Sequence, residues 1–541
     1  MIGSDNFHLR PIRLIPRMDI KGPNLVKGIH LEGLRVLGKP AHFAKRYYEE
    51  GADELIYIDT VASLYGRKHL KEIVAQTAQD IFIPITVEGG IRSVEDMREL
   101  LRAGADKIAI NTAAIKSPEL IREGAEVFGS QCIVVSIQAK KVRAGVYEAF
   151  TENGRQETGI DVFKWVEMAC KLGAGEIFVT SIDREGTGRG FDKELISKIC
   201  DIVPVPVVAC GGAGNLNDIS DLICTTDVSG VAAASIFHYG AMDKSALREM
   251  EEGNIEFAKT YSASYSNQLM RITPTSVKDV KDKIIESGNI CTRLGSSLSR
   301  LDDVVVNTAI GSELFPVVKV VDFGCGNLFG ISLALRKVGV AFEITSDPKA
   351  IEQADKLILP GVGSFTYGMT NLKNRELIEP LKAHGLAGKP LMAICLGAQL
   401  LMTEGIEFGL CEGLNLIPGK TVKLELPSHS PHCFKVPHVG WNGIDPPFGF
   451  QKETWVTGVS RAVLPGSLMY FTHSYIVVPQ ERESVFAETF YGGTTFCSIV
   501  RRNNVIGCQF HPEKSGEAGL EILRNFVFNH DEPAFVSRSG R

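Results

Sequence analysis

The chain has 541 residues, too many for one ordinary core, and its length predicts two to four domains. It is 44% hydrophobic and 23% charged, as soluble globular proteins are, and its net charge of −6 offers no basic surface for nucleic acid or a membrane. No apolar run reaches the roughly 18–20 residues of a membrane helix, and the N-terminus lacks the apolar core of a signal peptide. We therefore expect a cytoplasmic protein that binds neither nucleic acid nor a membrane.

The 12 cysteines are scattered singly, without a CxxC pair or any other metal-ligand spacing. In a cytoplasmic chain most of them are expected to be buried thiols. We expect no metal site and no cofactor, and a reactive cysteine must be justified by its local sequence.

The first half alternates short β-branched runs with amphipathic helical stretches such as 93–104 and 161–173. Eight such runs are predicted as strands: 14–20, 54–60, 83–90, 106–111, 132–137, 176–181, 206–212 and 230–235. Eight βα units predict a closed (β/α)8 TIM barrel over residues 1–294.

This half also repeats itself. GADELIYIDT at 51–60 matches GAGEIFVTSI at 173–182, and Gly89-Gly90 matches Gly211-Gly212 at the same offset. Two similar half-barrels would place two similar phosphate pockets around one mouth.

Residues 239–274 are too long for a barrel loop and are predicted to be an insertion, either a surface decoration or a lid or docking element, before a helix at 275–287. Residues 295–315 mix Ser, Gly and Asp and are interpreted as a linker. A second α/β domain is predicted over 316–541, with an open sheet rather than a second barrel and with a polar tail from 529.

Cys395 is predicted to lie on the turn between a strand at 390–393 and a helix at 397–404. This is the geometry of a nucleophile elbow, in which a sharp turn lifts the side chain over the end of a sheet. His511 with Glu513 supplies an imidazole and a carboxylate that would orient it. The glycine-bounded PGVG at 360–363 offers backbone N–H groups for an oxyanion hole.

In the order PGVG, CLGAQ, QFHPE, these motifs closely resemble class I glutamine amidotransferases over about 215 residues. The resemblance implies Cys395 as the acyl-forming nucleophile, His511 as general base and Glu513 as its orienting partner, acting on glutamine. The resemblance also places further residues near the glutamine or its oxyanion: Gly361, Val362, Gly363, Gln399 and His473. DFGCGNL, VPHVGWN and YFTHSY are similar to the glutaminase subunit of imidazole glycerol phosphate synthase.

The first half resembles the cyclase subunit of that synthase, through DIKGPNLVKG, TVEGGIR, INTAA, TSIDREGTGRGFD, CGGAG and AAASIFH. Several of these motifs are glycine-rich strand ends, whose backbone N–H groups can bind anions. The resemblance implies a substrate phosphorylated at both ends. One phosphate would be bound by Gly90, Asn111 and Thr112, and the other by Gly186, Gly212, Ala234 and Ser235.

The acid–base pair of the cyclase family is incomplete here. Asp19 matches its first aspartate, but Gln138 stands at the second position, and an amide cannot exchange a proton in that role. Lys27, which matches a loop lysine expected to close over the substrate, is retained, and so is Asp59. Glu88 replaces the first glycine of a GGG run.

The resemblance also implies a set of residues for the passage of ammonia, and these residues are retained here. Arg13, Glu54, Lys107 and Glu176 correspond to the family's charged ring at the N-terminal end of the barrel, although each could equally be an ordinary salt-bridge residue. The last matched pair, expected to link the two units, is Asp106 and Lys514. A closed passage would keep ammonia from protonation and loss in bulk water.

Two functions therefore stay open. One is a bifunctional imidazole glycerol phosphate synthase of histidine biosynthesis. The other is a paralogue that supplies ammonia to a separate amidotransferase partner, which amidates N-acetylated sugars of surface polysaccharide. Gln138, Glu88 and the insertion favour the second, whereas Asp19, Lys27 and both phosphate loops favour the first.

Overall fold

A computed structural model describes residues 11–61, 70–242, 271–286, 290–291, 317–428, 430–431, 433–449, 455 and 458–528. The chain divides into two compact units, one drawn mainly from residues before 296 and the other mainly from residues after 297. Most of the predicted insertion, the whole predicted linker and the C-terminal tail lie outside the described residues. In the described ranges, none of the helices has the length and apolar character needed to cross a membrane.

The first unit is a closed barrel of eight parallel strands, which confirms the predicted fold. In barrel order the strands are Pro11–Lys21, Leu55–Asp59, Ile85–Glu88, Lys107–Ile110, Ile133–Arg143, Glu176–Ser181, Val207–Cys210 and Gly230–Ala233. The eighth strand pairs with the first through Arg13 and Gly230, and the fifth pairs with the sixth through Val134 and Glu176. All of these strands except Gly230–Ala233 contain two or more β-branched residues, which suit a sheet that is buried on both faces.

In the described part of the chain, five further strands accompany the barrel: Asn24–Ile29, Glu32–Gly38, Val146–Thr151, Gln156–Asp161 and Ile290–Cys291. The helices of this half are Pro40–Glu49, Leu70–Ala78, Val94–Arg102, Thr112–Lys116, Glu119–Phe128, Val162–Leu172, Lys193–Ile202, Leu216–Thr225, Ser235–Ala241 and Val277–Glu286, with a 3₁₀ turn at Ser130–Cys132. Local polar residues set several helix starts: Asp161 accepts from two backbone amides, and Asn215 with Asp218 forms a capping box.

The barrel interior is layered because alternate residues of each strand point inward. At one end, Arg13 and Lys107 lie between Glu54 and Glu176, with Arg13 Nη1 2.8 Å from Glu54 Oε2 and Lys107 Nζ 2.5 Å from Glu176 Oε2. The two cations outweigh the effect of burial and lower the pKa of Glu176. The four predicted ring residues thus form one buried, charge-balanced cluster.

An apolar layer lies above this ring. It is formed by Ile15, Ile56, Ile58, Ala109, Val134, Phe178, Val208, Cys210 and Ala232.

The second unit contains an open sheet of eleven strands, which agrees with the predicted open architecture. The order along this sheet is Phe342–Thr345, Val318–Val321, Lys356–Leu359, Leu391–Ile394, Val505–Cys508, Thr494–Arg502, Tyr475–Pro479, Gly419–Lys423, Glu404–Gly405 and Cys411–Glu412, with Val485–Tyr491 paired to Thr494–Arg502. A separate two-stranded sheet joins His438–Ile444 and Ser467–His473. The helices are Leu328–Val338, Pro348–Gln353, Phe365–Asn374, Ile378–Leu386, Leu396–Leu400 and Gly516–Phe528, with 3₁₀ turns at Gly458–Ser460, Arg482–Ser484 and Pro512–Lys514.

One helix prediction was too long. The helix after Cys395 ends at Leu400 rather than at 404, because Glu404–Gly405 is a strand that pairs with Gly419–Lys423. The helix predicted at 275–287 is confirmed as Val277–Glu286.

The helix Val277–Glu286 is attached to the barrel by a buried ion pair. Lys281 Nζ lies 2.6 Å from Asp53 Oδ1, and the other oxygen of Asp53 accepts from the Leu14 amide at 2.8 Å. Removing one partner of a buried pair leaves the other charge in a medium of low polarity. Lys281→Ala should therefore lower the free energy of unfolding of the first unit by about 3–5 kcal/mol.

The matched control is Lys283→Ala on the same helix, which removes an exposed pair with Glu286 and should cost less than about 1 kcal/mol. Urea unfolding would be followed through Trp165 in a background where Trp441 and Trp455 are phenylalanine. Equal losses in the two variants would contradict the role given to the buried pair.

Candidate active sites

Cys395 occupies a strained turn at the carboxyl end of the strand Leu391–Ile394. Its φ is +51°, a left-handed value that is unusual for a residue with a side chain, and the helix Leu396–Leu400 begins immediately after it. The Cys395 amide donates to the Cys508 carbonyl at 2.7 Å, which fixes the turn to the neighbouring strand. The structure therefore has the predicted strand–turn–helix arrangement around this thiol.

Glycine is required where the backbone approaches this turn. A Cβ at Gly397 would lie 2.1 Å from the Leu359 carbonyl oxygen, and one at Gly361 would lie 2.7 Å from the Gly397 nitrogen. Strand 356–359, with the PGVG segment after it, is thus packed directly on the start of the Cys395 helix. Val362 and Gly363 follow in this segment, and the Gly361 carbonyl accepts from the Leu396 amide at 3.3 Å.

His511 and Glu513 lie beside the thiol. His511 Nδ1 is 2.8 Å from Glu513 Oε1, while Nε2 has no hydrogen-bond partner among the described residues. Burial alone would lower the pKa of His511, but the negative charges of Cys395 and Glu513 outweigh it and raise that pKa well above 6.5. The raised pKa favours the protonated form of the His511 ring, so the ring can hold a proton close to the sulfur.

Gln399 and His473 share one backbone acceptor. Gln399 Nε2 and His473 Nδ1 each donate to the Tyr475 carbonyl oxygen at 3.0 Å. Burial lowers the pKa of His473 to about 3, so this imidazole is neutral at physiological pH. The structure therefore brings Gln399 and His473 together. The positive charge of His511 also lowers the pKa of His473.

Glu407, which the sequence interpretation did not include, also lies near this group. Its carboxyl accepts a hydrogen bond from the Phe365 amide at 2.7 Å, and burial raises its pKa to about 7. Its negative charge helps to raise the pKa of Tyr475. A buried carboxyl beside the residue that holds Gln399 is a candidate partner for a cationic group.

At the barrel mouth, Asp19 is held in an ion pair. Arg17 Nε lies 2.8 Å from Asp19 Oδ1, and Lys27 Nζ lies 3.9 Å from Asp19 Oδ2. Lys27 also pairs with Glu185, whose second oxygen lies 3.9 Å from Arg17 Nη1. Lys27 belongs to the strand Asn24–Ile29 and is buried, so in this structure it is an internal cation rather than part of an open loop.

A cavity of about 300 Å³ opens beside this network. Its lining includes predicted residues from four strand ends, namely Asp59, Gly90, Asn111, Thr112 and Gln138, and also Glu88. The Asn111 side-chain amide is already bound to the carbonyls of Ser136 and Phe150, at 3.0 and 3.2 Å, and the Thr112 hydroxyl accepts from the Glu152 amide. The residues predicted to bind the first phosphate, Gly90, Asn111 and Thr112, thus line one cavity. Because the side chains of Asn111 and Thr112 already have partners, the backbone amides are the groups that a ligand could use.

The residues predicted to bind the second phosphate lie on the other half of the barrel. A Cβ at Gly186 would lie 2.7 Å from the Gly28 carbonyl, and one at Gly212 would lie 2.2 Å from the Gly190 carbonyl. Ala234 and Ser235 begin the helix that follows the eighth strand. These glycines allow close backbone packing at the strand ends.

Two family models match the chain. Residues 13–243 match the histidine biosynthesis protein family, and residues 319–530 match class I glutamine amidotransferases. The chain is 60% identical over 209 residues to imidazole glycerol phosphate synthase subunit HisF of Legionella pneumophila, covering 99% of that protein and 39% of this chain. It is 46% identical over 245 residues to the subunit of the same name from Bacillus cereus strain G9842, covering 97% of that protein and 45% of this chain. The chain belongs to the HisF family. Its second unit is a class I glutamine amidotransferase domain.

In this HisF-type barrel, sequence reasoning missed Arg17 and Glu185. Arg17 interrupts the apolar run of the first strand two residues before Asp19, so both side chains lie on the same, inward face. That alternation was the available signal for Arg17. The pairing with Glu185 joins distant parts of the chain and could not be predicted from local sequence.

The neutral imidazole of His473 should make the amidotransferase domain sensitive to acid. In the unfolded chain a histidine binds a proton below about pH 6.5, whereas folded His473 stays neutral down to about pH 3. The unfolded state therefore gains protons as pH falls through this window, and stability is lost. From pH 7.5 to 5.5 this group should cost about 1.4 kcal/mol, and the His473→Gln variant should lose that much less than the wild type.

Urea unfolding at the two pH values, followed through Trp441 and Trp455 in a Trp165→Phe background, measures this difference. An identical loss in both proteins would contradict the assignment of a neutral, buried His473.

Proposed function

We propose that this protein hydrolyses glutamine at Cys395 and uses the ammonia in the barrel on a phosphorylated substrate, as a bifunctional imidazole glycerol phosphate synthase. The observation that carries the proposal is the strained turn that places Cys395 beside the His511–Glu513 pair. The family matches on both halves of the chain support it.

In the glutaminase reaction, Cys395 Sγ attacks the side-chain amide carbon of glutamine, and His511 transfers a proton to the departing nitrogen. Ammonia leaves and a thioester remains. Water, deprotonated by His511, then hydrolyses the thioester to glutamate and restores the thiol. Glu513 fixes the ring orientation and stabilises the imidazolium.

The glutamine would lie over Gln399 and His473, and the Glu407 carboxylate would form an ion pair with its α-ammonium group. In this structure the Leu396 amide donates to the Gly361 carbonyl, so it must change partner before it can stabilise an oxyanion. Gly361, Val362 and Gly363 are the segment in which this change would occur.

In the barrel, Asp19 would carry the proton transfer to a ligand held at its phosphate ends. The Arg17 guanidinium, 2.8 Å away, holds the Asp19 carboxylate in position at the barrel mouth. The substrate implied by the family is a phosphoribulosyl-formimino carboxamide nucleotide, and the products are imidazole glycerol phosphate and the aminoimidazole carboxamide nucleotide. The buried ring of Arg13, Glu54, Lys107 and Glu176 would control the entry of ammonia, and the Asp106–Lys514 link stays a prediction.

The second candidate is supply of ammonia to a separate amidotransferase that acts on N-acetylated sugars. Two observations favour it: Gln138 replaces the second acid–base residue, and Arg17 binds the carboxylate that remains. An amide cannot exchange a proton, and a carboxylate paired with arginine is a weaker base. Both features therefore weaken proton transfer in the barrel, and neither affects the thiol site.

Cys395→Ala should abolish glutamate release from glutamine, because the nucleophile is removed. Glu513→Gln should reduce kcat by about 10²–10⁴-fold through loss of the imidazolium's partner. Glutamate formation would be measured in a coupled assay, with thermal unfolding to check the fold. Persistent glutamate release by Cys395→Ala would contradict the proposed nucleophile.

Supplied with ammonia and the carboxamide nucleotide, the wild-type protein should form imidazole glycerol phosphate. Asp19→Asn should reduce this rate by about 10²-fold or more, because it removes the general base. Product formation would be followed chromatographically, with Gln138→Asp as the comparison variant. Turnover by Gln138→Asp but none by the wild type would instead select the second candidate.

A further inference from the structure

Several buried oxygen atoms of residues that line the barrel cavity lack hydrogen-bond partners among the described residues, and Asn153 Oδ1 is one of them. Glu88 Oε2 and Gln138 Oε1 are two others, and both residues are buried and line the same cavity of about 300 Å³. A buried acceptor without a donor costs free energy, so a ligand that brings N–H groups to this place is favoured.

Glu88 is surrounded by groups from three other barrel strands. Arg17 and Asp19 face it from the first strand, and the Ser136 hydroxyl donates to it from the fifth. Asp59, at the end of the second strand, lines the same cavity, while the side chain at 138 is neutral. Burial raises the pKa of Glu88 to about 7, so its charge can change near neutral pH.

The cavity also has groups that can bind an anion. Arg92 lines it together with the backbone at Gly89 and Gly90, which both have positive φ values, and Lys116 lines it while paired with Glu152 at 3.1 Å. One cavity therefore offers an arginine with a glycine-rich backbone segment and also the buried acceptors of Glu88 and Gln138.

We propose that Glu88 and Gln138 form a subsite that binds the N–H groups of an amide or amine carried by a phosphorylated ligand. The inference rests on the proposed function only in taking the ligand to be phosphorylated. Gln138 is then a binding residue rather than the remnant of a lost acid. Glu88 accepts as a carboxylate, so binding favours its ionised form.

Titration calorimetry with two probes isolates the subsite. Aminoimidazole carboxamide ribonucleotide carries a phosphate and several N–H donors, whereas ribose 5-phosphate carries the phosphate and sugar alone. The first should bind at least tenfold more tightly at pH 8. Because both probes carry the same phosphate, its contribution cancels in the ratio of their Kd values. The ring contacts do not depend on Glu88, so the pH dependence of the ratio reports the subsite, and the ratio should grow by up to about tenfold from pH 6 to pH 8 as Glu88 ionises.

Three substitutions test the assignment. Glu88→Ala and Gln138→Leu should each reduce the ratio at pH 8 to threefold or less, whereas Glu88→Gln should keep a preference that no longer depends on pH. Glu95→Gln, a surface change on the helix Val94–Arg102, is the matched control and should leave the ratio unchanged.

If folded Glu88→Ala and Gln138→Leu proteins keep the full wild-type ratio, the subsite is overturned while phosphorylated ligands still bind. If neither probe binds the wild type, both the subsite and the proposed barrel ligand are overturned.

Discussion

Burial of the Arg17 guanidinium constrains the whole barrel mouth. A guanidinium cannot lose its charge, so it must be compensated by carboxylates at short range. Asp19 and Glu185 provide that charge, and Lys27 is drawn into the same network. Asp19, the proposed general base, is consequently an ion-pair partner here, and Glu88 and Gln138 are among the described cavity residues with unused acceptor atoms.

The amidotransferase domain is organised by a different constraint, the positive φ of Cys395. The turn is possible because Gly397 and Gly361 allow neighbouring backbone segments to approach without a Cβ. The same close approach brings the PGVG segment to the thiol and sets the Gly361 carbonyl on the Leu396 amide. The strained turn, the glycines and the segment proposed to form the oxyanion hole are thus parts of one local arrangement.

Much of the fold and of the thiol site could be predicted because the signals are local. The eight barrel strands are short β-branched runs between turn residues, and Cys395 stands between an apolar run and a glycine. What could not be predicted depends on contacts between distant segments. Arg17 with Glu185, Lys27 as a buried cation and Glu407 beside Tyr475 each depend on strands that meet only in the folded chain. The helix after Cys395 was overextended because its end is set by the pairing of Glu404–Gly405 with a later strand.

The layered barrel interior has a consequence for how this protein can diverge. The ring of Arg13, Glu54, Lys107 and Glu176 contains two positive and two negative charges, and the apolar layer around Phe178 separates it from the Arg17 network. Neither ion cluster depends on the other for charge balance. Substitutions at the mouth can therefore accumulate without disturbing the charge balance of the opposite end, and the same buried ring is compatible with barrels that differ in the chemistry of the mouth.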